Sequence, residues 1–352
     1  MRSSLLIYIV LVLTVSAPLS NAQESKLRTY GYFDLELEWS NKDAAGKRST
    51  FDQHHFNVIT VYQLDERFRV FAEIEWEHGV SLQGGKGSGL VAVERAWVEY
   101  KHADALKIQV GKFLPPFGIY NLKHDATPTF LSTFLPSSIY GRHKNTLGQQ
   151  QRLYAKFATG IQVLGTLFAN RWQGEYYVYL SNGRGPNPDE ADNNGNKGVG
   201  GRLVVGPPID DLNLGVSFYT DKNGEANSTE QTTIAFDASI YRSNFQIEVE
   251  LFIPKIENVD TTGAPVGSFR TGSGYYVQGG YTLFDKLTPF ARYDFFDPNT
   301  DVSNDGERDV VLGMNLAVTP SIYLKGEIHF LSFQNPGSKS FELFASSIAV
   351  AF

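Results

Sequence analysis

From Tyr30 the chain reads Gly31-Tyr32-Phe33-Asp34-Leu35-Glu36-Leu37-Glu38-Trp39, with apolar side chains at 33, 35, 37 and 39 and carboxylates at 34, 36 and 38. A strict period of two puts these sets on opposite faces of one strand, one greasy and one wet. The pattern returns in Phe68, Val70, Ala72, Ile74 and Trp76 against Arg67, Arg69, Glu73, Glu75 and Glu77. It returns again in Phe245, Ile247, Val249 and Leu251 against Gln246, Glu248 and Glu250, and in Ile322, Leu324, Ile328 and Phe330 against Tyr323, Lys325, Glu327 and His329. About sixteen such stretches recur, each of roughly the nine to eleven residues that a tilted strand needs to cross a bilayer.

The connections alternate in length. Short turns are predicted near 64–66, 102–105, 171–173, 207–210, 242–244, 285–286 and 319–321, and longer loops at 41–50, 79–89, 113–150, 182–197, 222–230, 255–270, 298–306 and 334–340. Tight turns on one side and roomy loops on the other are the asymmetry of an outer-membrane barrel. In lipid every backbone N–H and C=O must be satisfied within the protein, which only helices and closed barrels achieve. No stretch after the N-terminal leader has the make-up of a spanning helix. The expected fold is therefore all-β, a 16-stranded antiparallel transmembrane β-barrel. In its last strand Phe344, Ile348, Val350 and Phe352 fall on the greasy face.

One connection breaks the rhythm. After the hairpin 96–100 and 106–110 comes Gly111-Lys112-Phe113-Leu114-Pro115-Pro116-Phe117-Gly118, whose two prolines end any strand because neither can donate a ladder hydrogen bond. The rest of the loop 113–150 lacks periodicity but holds Phe130, Phe134, Ile139 and Tyr140, too apolar for a disordered segment, so it is expected to pack against something.

The chain opens Met1-Arg2, runs apolar from Leu5 to Val15 and reaches Ser20-Asn21-Ala22, the make-up of a secretory signal peptide over 1–22 that leaves a barrel domain over 23–352. With no cysteine, neither a disulfide framework nor a thiolate metal site is available to the exported chain. Acidic residues outnumber basic ones, 38 to 31, which argues against a nucleic-acid partner.

The hairpin with its Gly111–Gly118 run, together with Ser181-Asn182-Gly183-Arg184-Gly185, resembles the phosphate-selective porin O and P family of Gram-negative outer membranes. That resemblance implies a homotrimer in outer-membrane lipid whose third loop folds inward as a constriction. It also implies basic side chains that draw phosphate or other small anions through the constriction. Passive diffusion of this kind calls for no cofactor.

Charge makes a separate case for the same region. Between Lys101 and Lys156 there are eight basic residues and two acids, in a chain that is −7 overall. Lys107, Lys112, Lys123, Arg142, Lys144 and Arg152 are the candidate pore-lining, anion-binding side chains, because a basic constriction with low-dielectric walls concentrates anions. Basic loop residues are also commonly just solvated, and that reading stays open. Against an anion pore stand acids expected to face the lumen, Asp34, Glu36, Glu73, Glu75, Glu248 and Glu250 among them. Their presence keeps a non-selective or cation-preferring porin, and a channel for organic acids, as alternatives.

Other constellations carry less. Gly84–Gly89 is glycine-rich like a phosphate-cradling loop, but no helix follows it. Asp189, Glu190, Asp192 and Asn193 could ligate calcium but lack EF-hand spacing. His54 and His55 are expected on opposite faces of a strand. No nucleophile elbow or His-Glu-x-x-His pair appears, so no enzyme chemistry is expected.

Overall fold

The computed structural model describes residues 26–42, 49–78, 89–124, 126–144, 150–183, 192, 194–223 and 229–352. Residues 1–22, read from sequence as a signal peptide, and the Gly84–Ser88 part of the glycine-rich loop lie outside the described residues.

Sixteen strands form one closed antiparallel sheet. In chain order they are β1 Leu27–Ser40, β2 in two pieces Thr50–Asp52 and His55–Gln63, β3 Phe68–Glu77, β4 Leu90–Ala103, β5 Leu106–Phe113, β6 Ala158–Ala169, β7 Trp172–Ser181 and β8 Gly198–Gly206. The second half comprises β9 Leu212–Asn223, β10 Thr229–Arg242, β11 Phe245–Val259, β12 in two pieces Pro265–Thr271 and Ser273–Tyr281, β13 Leu287–Asp297, β14 Glu307–Thr319, β15 Ile322–Phe333 and β16 Phe341–Ala351. Each strand pairs with its chain neighbours, and β1 also pairs with β16 from Tyr32↔Ala351 to Ser40↔Leu343. Phe352 and Gly31 exchange backbone hydrogen bonds at 2.8 and 3.0 Å, which finishes the seam.

The two-residue period is clearest on β11, where Phe245, Ile247, Val249, Leu251 and Ile253 are exposed and Glu248, Glu250, Phe252 and Ile256 are buried. The exposed row is the lipid-facing side and the buried row faces the barrel interior. Exposed Tyr62 and Tyr281 lie at the short-turn ends of their strands, where an amphipathic ring suits the headgroup level, whereas Tyr241 keeps the inward parity and bonds Glu248.

Three expectations shift. The connection expected over 255–270 is mostly strand, since β11 runs on to Val259 and meets Pro265–Thr271 as a hairpin. The turn expected at 171–173 is tighter, because Trp172 and Gln173 already pair with Ala169 and Phe168. The interior is also less polar than simple alternation implies. Phe252, Ile256, Tyr276, Phe296, Tyr179 and Tyr219 point inward and form one buried cluster with Phe117, Tyr120, Phe130, Ile139, Tyr140, Leu153 and Tyr154 from the segment between β5 and β6. Burying each such side chain is worth about 1.5–3 kcal/mol, which explains why apolar residues interrupt the wet face there.

Candidate functional site

Among its described residues the segment between β5 and β6 contains only short turns of helix, Asn121–Lys123, Thr127–Thr129 and Ser137–Tyr140, and a two-residue ladder His143–Lys144 with Gln150–Gln151. Its backbone polar groups must find partners elsewhere. The inward rows of the strands supply them.

Three wall carboxylates accept loop N–H groups. Glu327 on β15 takes the N–H of Thr133 and of Phe134 at 2.9 and 3.0 Å, one on each oxygen. Asp294 on β13 takes those of Ser137 and Ser138 at 2.7 and 3.3 Å. Glu250 on β11 takes the N–H of Ile119 at 3.2 Å and the hydroxyls of Tyr140 and Tyr276. Wall donors reach the loop carbonyls in turn. Arg292 donates to Phe134 O at 2.9 Å and to the Ser132 hydroxyl, Asn315 to Phe130 O and Leu131 O, and Lys325 to Thr127 O and Ser132 O. Charge-assisted bonds of this kind are roughly twice as strong as neutral ones.

Gly118 fits this docking through its lack of a side chain. It sits at φ +61°, and a Cβ there would lie 2.2 Å from the Tyr140 hydroxyl and 2.4 Å from Glu250 Oε2. Tyr120 donates to Glu248, and burial holds the hydroxyls of Tyr120 and Tyr140 well above their usual pKa, so both stay donors.

The residues singled out by sequence divide as follows. Lys107 is half-buried near the β4–β5 turn, where Lys101 pairs with Asp104 at 2.6 Å and holds that carboxyl below its usual range. Lys112 donates to Val93 O at 2.7 Å and lies over the Phe157 ring. Lys123 is over the Tyr120 ring at 4.8 Å, and burial pulls its pKa down while Glu248 and Glu250 push it back. Arg152 donates to the Tyr140 carbonyl. Arg142 is exposed and lines a cavity of about 570 Å³ with Lys42, Arg308, Asp305, Glu307 and Phe341. The Lys144 side chain lies outside the described residues. The basic set is therefore dispersed, and much of it is bound into the loop.

The acids are buried. Asp34 meets His55 at 3.0 Å, Glu36 meets His54 at 3.0 Å, Glu73 pairs with Arg95 and bonds Asn57, Glu75 takes the Asn57 amide at 2.7 Å, and Glu248 takes Tyr120, Tyr241 and Gln278. His54 and His55 do not point to opposite faces. Their rings stack at 4.0 Å, with His78 next to His54 at 4.8 Å, because the strand is interrupted between Asp52 and His55 and the alternation slips there. Asp192 is a turn acid held below its usual range by Lys197 at 2.6 Å and by two backbone N–H groups, while Asp189, Glu190 and Asn193 lie outside the described residues.

Sequence reading missed Arg202 and Arg292 and, though it put Lys325 on the wet face, did not single it out; all three are buried. Arg202 forms a two-bond pair with Asp237 at 2.6 and 2.8 Å. Single basic residues on otherwise ordinary strands give no clustered signal, so only their inward parity could have marked them.

The structure is similar to the anion-selective porin of Comamonas acidovorans, with a TM-score of 0.67 at 15% identity over 94% of this chain and 100% of that one. It is similar also to a Salmonella typhi OmpF solved with daunomycin, with a TM-score of 0.66 at 13% identity over 93% and 98%. The trimer form of Vibrio cholerae OmpT gives 0.61 at 13% identity over 93% and 99%. An uncharacterized protein of Aquifex aeolicus is 33% identical over 95 residues, which is 27% of this chain and 21% of that protein's length. The model of the Gram-negative porin family matches residues 9–336. The chain belongs to the Gram-negative porin family, the channels of the outer membrane.

Proposed function

We propose that this porin is a passive channel for small hydrophilic solutes that prefers anions, phosphate among them, and that it works as a homotrimer with the segment 113–150 as its constriction. The observation that carries the charge preference is the state of the acids. Asp237 is paired with Arg202, Glu73 with Arg95 and Glu99 with Arg69, which offsets those charges, while Glu250, Asp294 and Glu327 are buried and hydrogen-bonded to the loop. Arg142 is exposed beside Lys42 and Arg308 on the 570 Å³ cavity, which Asp294, Asp305, Glu307 and Asp309 also line, Asp294 being bonded to the loop and Asp309 to His329. Cations at a narrow mouth raise the local anion concentration. The finer placing among phosphate-selective O and P porins rests on the Gly111–Gly118 run and the Ser181–Gly185 motif.

A second reading draws on β1–β4, where Asp34, Glu36, Glu38, Asp52, Glu73, Glu75, Glu77, Glu94 and Glu99 outnumber Arg28, Arg69, Arg95 and Lys101. It makes the channel cation-preferring. Zero-current potentials of the purified protein in a planar bilayer under a KCl gradient separate the two. Anion preference that falls at least severalfold when Lys42, Arg142 and Arg308 are changed together to glutamine supports the first reading. Cation preference in the unaltered protein overturns it.

A further inference from the structure

The loop meets the β3–β4 wall at a place where backbone irregularities on both sides turn side chains toward each other. His124, which follows the turn Asn121–Lys123, has φ 54° and ψ −139°, and its side chain is buried. Facing it, Glu94 is the extra residue of a β-bulge: Val93 pairs with Ile74 and Arg95 with Glu73, leaving Glu94 between them. Glu94 is only 6% exposed, inward after the lipid-facing Val93, and the bulge brings Arg95 inward beside it to meet Glu73, so two successive side chains enter the interior here. Its Oε2 lacks a hydrogen-bond partner among the described residues and lies 3.3 Å from His124 Nε2.

Glu75, on the neighbouring strand, brings a third oxygen. One ligand atom from each of Glu75, Glu94 and His124 falls within 4.8 Å of the others, and all three residues are buried. The outer contacts orient the imidazole. Tyr32 Oη lies 3.1 Å from His124 Nδ1 and 3.4 Å from Glu73 Oε1. A Tyr32 hydroxyl that donates to Glu73 can accept from Nδ1–H, and that tautomer turns the Nε2 lone pair toward the Glu94 carboxylate. A hydrogen-bonded partner on the far nitrogen is the usual support of a metal-binding histidine.

The geometry points to a divalent-cation site formed by Glu75, Glu94 and His124 that takes zinc or a similar borderline metal and fastens the loop to the barrel wall. Two ligands on a tetrahedral ion bound at about 2.0 Å stand roughly 3.3 Å apart, which is the spacing of Glu94 and His124. One imidazole and two carboxylates suit zinc better than magnesium or calcium, which take oxygen ligands in larger number. Besides His124, Lys112 and Lys156 act on Glu94 through space. The neighbouring group His55, Glu75 and Glu77 is the weaker candidate because His55 Nδ1 already meets Asp34.

The test uses the full-length protein in detergent, stripped with chelator, with each variant first checked for heat-modifiable migration as a folded barrel. Zinc is titrated by calorimetry, and cobalt is followed by its visible absorption. The site predicts saturation at one zinc per chain, cobalt bands characteristic of a four-coordinate ion, and at least a tenfold loss of affinity in Glu94→Gln and in His124→Gln. Tyr32→Phe should cost about tenfold through loss of the oriented imidazole. Should His124→Gln fail to fold, Glu94→Gln decides alone. No saturable uptake, zinc affinity unchanged in Glu94→Gln, or equal competition by magnesium would overturn the proposal.

Discussion

Two stretches of the inner wall carry similar rows of buried carboxylates and use them differently. On β1–β4, Asp34, Glu36, Glu73 and Glu99 meet His55, His54, Arg95 and Arg69, side chains on the same or the adjacent strands. Those pairs are set by strand register. On β11–β15, Glu250, Asp294 and Glu327 meet backbone N–H groups of a segment from 131 to 194 residues away in sequence. There the wall takes the place of secondary structure for a loop that has little of its own. An inward acid beside a histidine thus fixes neighbouring strands, whereas an inward acid beside an N–H fixes the shape of the passage.

The comparison can be broken most forcefully at Glu250. Glu250→Ala leaves the hydroxyls of Tyr140 and Tyr276 and the Ile119 N–H without this acceptor, at a cost of about 3 kcal/mol or more, since each buried group left unsatisfied costs about 1–3. The expected outcome is a lower temperature for the heat-modifiable transition and a larger, noisier single-channel conductance. An unchanged conductance would mean that the loop does not depend on this anchor. Gly118→Ala should act in the same direction but less, because a methyl group at φ +61° also meets Tyr140 and Glu250; a cost of about 1–2 kcal/mol in the same melt is expected. Glu36→Gln should have the smallest effect. Its partner His54 is 28% exposed at the side chain, and Gln keeps an oxygen that can accept from the imidazole, so the melt should move by no more than about 1 kcal/mol and conductance should stay as it is. If Glu36→Gln opened the channel as Glu250→Ala does, the division between the two walls would fall.

The barrel itself was legible because lipid imposes a period of two that leaves a mark in nearly every strand. Phe245, Ile247, Val249 and Leu251 could be assigned to the outer face from sequence, and the burial of Glu248 and Glu250 follows the same parity. What sequence could not supply was the partner of each inward side chain. Lys123 and Arg152 look like Arg142 in a list of charges, yet one lies over a tyrosine ring and the other on a carbonyl while Arg142 is exposed. Likewise Arg292 and Lys325 are isolated in sequence, and their contacts come from a loop more than 150 residues earlier. The histidine pair was misread for a local reason, since a break in one strand shifts every later side chain by one face.

The same loop contacts bear on how the barrel is assembled. Gly118 bonds Ser217, 99 residues away, and Thr133 bonds Ser347 across 214 residues, on the strand that closes the seam with β1. Contacts so distant in sequence form late, because the entropy of closing the intervening chain must be met before they contribute. The loop therefore has no settled conformation to carry into the membrane ahead of the last strands. Docking of the loop and closure of the seam become a single slow event, and the passage takes its final shape when the barrel does.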